Sequence, residues 1–187
     1  MRYLRWIIIS LVLAFAAGTF ISPNPAQAAS AAEIDRNVKS ALQSLYAQTP
    51  ASKALGEKAK GILVFPSITK GGFMVGGQFG EGALIQSGKT AGYYNTVQVS
   101  YGLQAGLQKY GYALFFISGE AMKWLGRSDG WEIGTGPSIV VVDTGMAKSM
   151  TTTTLQSDIY AFFFDQKGLM GGLGLQGTKI TRINKQM

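Results

Sequence analysis

The chain has 187 residues, 47% of them hydrophobic and only 14% charged, with 17 Lys plus Arg against 10 Asp plus Glu and a formal net charge of +7. It contains no Cys and no His, which excludes disulfides, thiol nucleophiles, thiolate or His-based metal sites and any Ser-His-Asp triad. The length suits one domain with a sizeable core, and the positive balance favours anionic partners without choosing among them.

Met1 to Ala28 has the layout of an export signal. Arg2 and Arg5 form a basic start, Trp6 to Ala17 an apolar run, and Ser22-Pro23-Asn24-Pro25 a helix break before the small-x-small site Ala26-Gln27-Ala28. The alternative is a retained anchor, although the run is short for a bilayer span of roughly 20 residues. Cleavage between Ala28 and Ala29 removes Arg2 and Arg5 and leaves a charge of +5 on residues 29–187, the expected mature domain. That domain is expected outside the cytoplasm, in the periplasm or cell envelope. With no cysteine to acylate, it is not expected to be a lipoprotein.

Ser30-Ala31-Ala32-Glu33 fits a capping box. Ile34, Val38, Ala41, Leu42, Leu45 and Tyr46 follow at helical spacing, with Asp35, Arg36, Lys39, Ser40 and Gln43 on the other face. Such a helix can lie on a membrane or pack on a sheet. Thr49-Pro50 predicts the start of a second helix, made basic by Lys53, Lys58 and Lys60 and ended by Gly61.

Beyond Gly61 the signals are strands. Ile62 to Phe65 is predicted to stop at Pro66, and Gly72 to Gly80 and Ala83 to Ile85 follow. From Thr96 to Gln108, Val97, Val99, Tyr101, Leu103, Ala105 and Leu107 alternate with Gln98, Ser100, Gly102, Gln104, Gly106 and Gln108. That two-residue period predicts one half-buried strand, with a turn at Lys109-Tyr110-Gly111 and an apolar return strand from Tyr112 to Ile117. Ser118 should cap a short helix ended by Gly126. Trp131 to Gly134 and Ser138 to Asp143 give two more strand pieces, Thr151 to Thr154 a loop, and Ile159 to Phe164 with Leu169 to Ile183 a closing hairpin. The predicted class is α+β: N-terminal helices packed on an antiparallel β-sandwich or barrel-like sheet of about eight strands, with one short internal helix.

Two glycine patterns fail as phosphate cradles. Gly88-Lys89-Thr90 has Ala83 where a P-loop needs glycine, so it reads as a hairpin turn. Gly172 to Gly177 matches G-x-G-x-x-G but continues a strand pattern and opens no helix. Glu81, Glu120, Asp129, Glu132, Asp143, Asp158 and Asp165 are scattered, and an enzyme would need some of them to converge. Tyr93, Tyr94, Tyr101, Tyr110 and Tyr112 suit cross-strand packing better than nucleic-acid stacking. No cofactor, metal or nucleic acid is expected.

Several segments, in order, resemble the SYLF domain family. They are Ala59 to Pro66, Lys70 to Gly77, Gly80-Glu81-Gly82, Gly92-Tyr93-Tyr94, Ser100 to Gly106, Ser128 to Gly134, and Lys167 to Met170 running on to Leu175 to Ile180. Together they cover Ala31 to Ile183. The resemblance implies a phospholipid-binding domain. Eukaryotic members regulate actin patches, bind phosphoinositides and engage membranes through the N-terminal helical region, here Ser30 to Lys60. They also carry a Src-homology module, which does not follow Met187, so that module's partner recruitment is not expected here. The leading expectation is a non-catalytic, exported domain on an anionic phospholipid or membrane surface. Ile34, Val38, Leu42 and Leu45 would dock, while Arg36, Lys39, Lys53, Lys58, Lys60 and Lys70 would attract head groups. The alternative is a structural envelope protein that binds an unidentified protein or itself through its sheet; an enzyme ranks third.

Overall fold

A computed structural model describes residues 28–73, 75–101, 106–143, 146–147, 156–167 and 174–185. The leader up to Gln27 and the Thr151 to Thr154 loop lie outside them.

Helix α1 (Ala31–Gln48) starts as its sequence predicts, with Ser30 Oγ accepting a hydrogen bond from the Glu33 backbone N–H at 3.2 Å. Ala31, Ile34, Val38, Ala41 and Leu45 form its buried stripe. Each large side chain in that stripe contributes about 1.5–3 kcal/mol by leaving water. The Thr49 N–H closes the helix on Leu45 O at 2.8 Å, and Pro50 opens α2 (Pro50–Gly56). Helix α2 ends at Gly56, earlier than predicted, because Gly61 already begins a strand.

Eight strands form one sheet: β1 (Gly61–Phe73), β2 (Val75–Gln86), β3 (Lys89–Tyr101), β4 (Gly106–Phe116), β5 (Trp131–Glu132), β6 (Ile139–Val141), β7 (Ile159–Lys167) and β8 (Lys179–Ile183). Their order is β5-β8-β3-β2-β1-β4-β7-β6. Neighbours are antiparallel except β6 and β7, which run parallel because the chain crosses over between them. The short helix α3 (Gly119–Lys123) is capped by Ser118 Oγ, which accepts from Ala121 N at 3.1 Å.

The sheet is strongly curled. Thr96 on β3 and Tyr112 on β4 are three strands apart, which is about 14 Å in a flat sheet. Their hydroxyls nevertheless meet at 2.7 Å. The rings of Trp131 on β5 and Phe116 on β4 lie 6.1 Å apart across a still wider strand separation. The concave face holds Leu63, Phe65, Ile68, Leu84, Tyr94, Tyr110, Tyr112, Leu114, Phe116 and Ile180, closed by Ala121, Leu125, Trp131 and Leu175. The convex face carries α1 and α2, packed on Ile62, Val64, Ala83, Ala113, Phe115 and Phe162. Among the described residues, buried hydrophobic side chains run from Ala31 to Ile180.

Several predicted boundaries move. Strand β1 does not stop at Pro66. It carries one extra residue opposite both neighbours, between Val64 and Ser67 against β2 and between Phe65 and Ile68 against β4. A bulge tolerates a residue without an N–H, and it flips every side chain that follows to the other face. The stretch from Gly72 to Gly80 is the end of β1 and the start of β2, paired Phe73 to Val75. Lys109-Tyr110-Gly111 is not a turn but the middle of β4, since β3 already ends at Tyr101. β7 and β8 are not a hairpin: β7 pairs with β4, and β8 with β3 at the opposite side. The predicted turn at Gly88 is present, with Ser87 and Gly88 at φ 49° and 76°, as a two-residue hairpin turn requires.

Candidate functional site

The bulge in β1 decides what each half of that strand shows. Before it, Val64 faces the helices; after it, Ile68 and Lys70 turn into the concave side. Lys70, predicted to meet head groups at the surface, is therefore buried between its partners Gln78 and Gln108. Around it the concave side is polar but bonded. The Tyr110 hydroxyl donates to Gln78 Oε1, Gln78 Nε2 donates to Thr178 Oγ1 at 3.5 Å, and Gln98 Nε2 donates to the Gln176 carbonyl. Burial pushes Tyr110 up to about 12 and Tyr112 higher still.

The same parity exposes the apolar half of the Val97 alternation. Along the convex face, register partners run Lys167, Lys109, Thr69, Phe79, Val97, Lys179 and Glu132, one per strand from β7 to β5. The next row toward the hairpin ends is Leu107, Gly71, Gly77 and Val99. Among the described residues, no helix covers this part. Phe79 is 52% exposed, Val97 39%, Val99 60% and Leu107 74%, and Lys109, Lys167 and Lys179 are exposed beside them. Leu107 lies across β1, its Cδ2 2.9 Å from where a Cβ on Gly71 would sit.

The predicted helical residues behave differently from one another. Ile34, Val38 and Leu45 are buried against the sheet and Leu42 is half-buried. Arg36, Lys39, Lys53, Lys58 and Lys60 are exposed on the helix layer. Asp35 turns inward to the β3 edge, accepting from Thr90 Oγ1 at 2.8 Å and the Tyr93 hydroxyl at 3.0 Å. Asp158 accepts from Ser118 Oγ, Ser138 N and Ser138 Oγ at 3.0, 3.1 and 3.0 Å, and these bonds hold its carboxyl below the usual range. Asp143 accepts from Met146 N, and Asp165 sits exposed with φ 52° beside Lys167. Each of these three acids thus has its own local setting. Among the described residues, no three acidic groups stand close enough to hold a metal ion.

A family model described as Ysc84, Las17-binding protein actin regulator, matches residues 97–186. This segment belongs to the Ysc84 (SYLF) family. No curated protein matches the chain. The SYLF segment begins within β3 and contains Val97, Val99, Leu107, Lys109, Lys167 and Lys179, whereas α1 and α2 precede it. Sequence reasoning singled out the helical cations, which are exposed, and did not single out the convex rows. The signal was available in the alternation, which fixes a period of two and leaves open which half faces the core.

Proposed function

We propose that the protein is a non-catalytic, exported SYLF domain that binds anionic phospholipid surfaces at the cell envelope. The observation that carries this reading is unspent positive charge. Arg36, Lys39, Lys53, Lys58 and Lys60 are exposed, and none of them joins an ion pair among the described residues. Each basic residue near an anionic membrane contributes about 1 kcal/mol, within the reach of the Debye length. In this reading Ile34, Val38 and Leu45 hold α1 on the sheet, and the first encounter is electrostatic.

The family description names an actin regulator. For a chain headed by an export-type leader, a membrane surface is the partner its charge fits. Co-sedimentation of residues 29–187 with vesicles of phosphatidylcholine and phosphatidylserine tests the reading. Binding should rise with the anionic fraction and weaken with salt. Equal sedimentation with and without vesicles at every composition refutes it.

A further inference from the structure

We propose that the uncovered convex half-face, Phe79, Val97, Val99 and Leu107 rimmed by Lys109, Lys167 and Lys179, is the surface that docks on an anionic phospholipid membrane while α1 stays closed on the sheet. The proposal rests on the membrane-binding reading above and specifies its contact surface.

Exposed apolar side chains scattered singly need no explanation, but a contiguous set does. Among the described residues six large hydrophobics are exposed, and four of them share these two adjacent rows. The charge around them is the complement of an anionic interface. Lys109 and Lys167 are direct cross-strand partners, an arrangement of like charges that is unfavourable until an anion lies between them. Lys179 stands at the other end, facing Glu132 across the pair and near Asp129, while exposed Asp165 lies beside Lys167. The rim is therefore mixed on its flanks and basic in its row.

The described residues around this face leave it open. In the return from β7 to β8 the described residues Leu175 and Thr178 are buried on the concave side and do not cover the convex rows. Just before α1, Ala29 N donates to Glu81 Oε2 at 3.1 Å. Glu81 is two positions from Phe79 on the same face of β2. The strands of the patch end at Phe73, Val75 and Tyr101, beyond the helix layer, so the hairpin ends can approach a membrane without displacing α1.

The absence of cysteine gives a clean test, because any introduced thiol is unique. Residues 29–187 carrying Val99→Cys or Lys39→Cys are labelled with an environment-sensitive fluorophore and titrated with phosphatidylserine-containing vesicles. The expected result is a blue shift at position 99 and none at 39. Val99→Ser with Leu107→Ser should lower vesicle partition about tenfold, and Lys109→Gln with Lys167→Gln should lower it about 25-fold, at about fivefold per lysine. Circular dichroism should show both variants folded, since the altered side chains are exposed. A shift at 39 but not at 99 transfers docking to the helix layer and overturns the proposal while leaving membrane binding intact. A shift at 99 that appears without vesicles as protein concentration rises assigns the face to a second copy and also overturns it. Failure of the unmodified domain to bind any vesicle removes the membrane reading and this surface with it.

Discussion

Lys185 Nζ lies 2.7 Å from Glu81 Oε1, and the other oxygen of that carboxylate accepts from the Ala29 N–H at 3.1 Å. Lys185 Nζ also donates to the Ala29 carbonyl at 2.9 Å. The three groups close a ring that ties both ends of the described chain to the middle of β2. The two charged side chains are only 14% and 11% exposed, so water does little to replace either partner. A partly buried ion pair adds modest net stability when intact, but an orphaned partner is costly. Glu81→Gln should destabilise the domain by about 1–3 kcal/mol, lowering Tm by about 2–4 °C per kcal/mol for a domain of this size. Chemical denaturation of Glu81→Gln, Lys185→Met and the double variant checks this. The double variant should lose less than the two single losses combined, whereas additivity would show that the ring is not coupled.

Gly82 on β2 sits opposite Tyr94 and beside the β1 bulge. A Cβ there would run into the Val64 carbonyl and the Phe65 ring. The backbone cannot step aside without breaking the register that turns Lys70 inward. Gly82→Ala should therefore cost about 3 kcal/mol or more, the upper end for overpacking a core. Gly119→Ala, at the start of α3 with no atom within 4 Å of the new Cβ, should be close to neutral. Thermal melts of the two variants side by side are the measurement. Equal Tm values would mean that the bulge is not tightly packed.

Most of the α+β class was legible, and the reasons are local. Helix α1 announced itself through Ser30 and the spacing of Ile34, Val38, Ala41 and Leu45, because capping and amphipathicity need only neighbouring residues. The apolar run from Tyr112 to Phe116 became β4 for the same reason. The β3–β4 boundary stayed hidden because an even number of residues separates Tyr101 from Gly106, so the alternation keeps its phase through the connection. The placement of β8 against β3 depends on partners such as Tyr94 and Arg182, far apart in sequence, which no window can see. The exposed face was missed because the pattern Val97, Val99 and Leu107 resembles a core face. Unbroken alternation along β2, β3 and β4 instead puts Gln78, Thr96 and Gln108 on the concave side with Leu84, Tyr94 and Tyr110.

Alkali should separate Tyr110 and Tyr112 from the other tyrosines. Burial raises Tyr110 to about 12, and burial raises Tyr112 further against the lowering effect of its bond with Thr96. An unfolded tyrosine titrates near ~10. Both groups bind their proton more tightly when folded, so they contribute stability that is fully present below pH ~10 and is lost as pH rises toward their folded values. A near-ultraviolet titration should show these two of the eight tyrosines ionising late, together with loss of structure. Tyr112→Phe should weaken the fold at neutral pH by about 1–2 kcal/mol through the stranded Thr96 hydroxyl, and its stability should fall less steeply above pH ~10. A parallel slope in the two proteins would remove Tyr112 from the account.

Whether membrane contact needs α1 to open can be read from Leu45. This side chain is 2% exposed and packs with Val38, Leu55 and Phe162 between helix and sheet. Leu45→Ala should cost about 2–4 kcal/mol, through lost burial and the cavity left behind. The loss falls on the contact that keeps the helix down, so the population of any open form rises by the same factor. If an opened α1 inserted into the bilayer, Leu45→Ala would bind vesicles more tightly, because less free energy would be needed to expose the helix. With docking through Phe79, Val97, Val99 and Leu107, the closed form already presents the contact surface. Vesicle affinity should then stay within about twofold of the parent while Tm falls. Vesicle co-sedimentation and thermal melts on one preparation give both numbers, and tighter binding alongside the lower Tm would return the membrane contact to the helix.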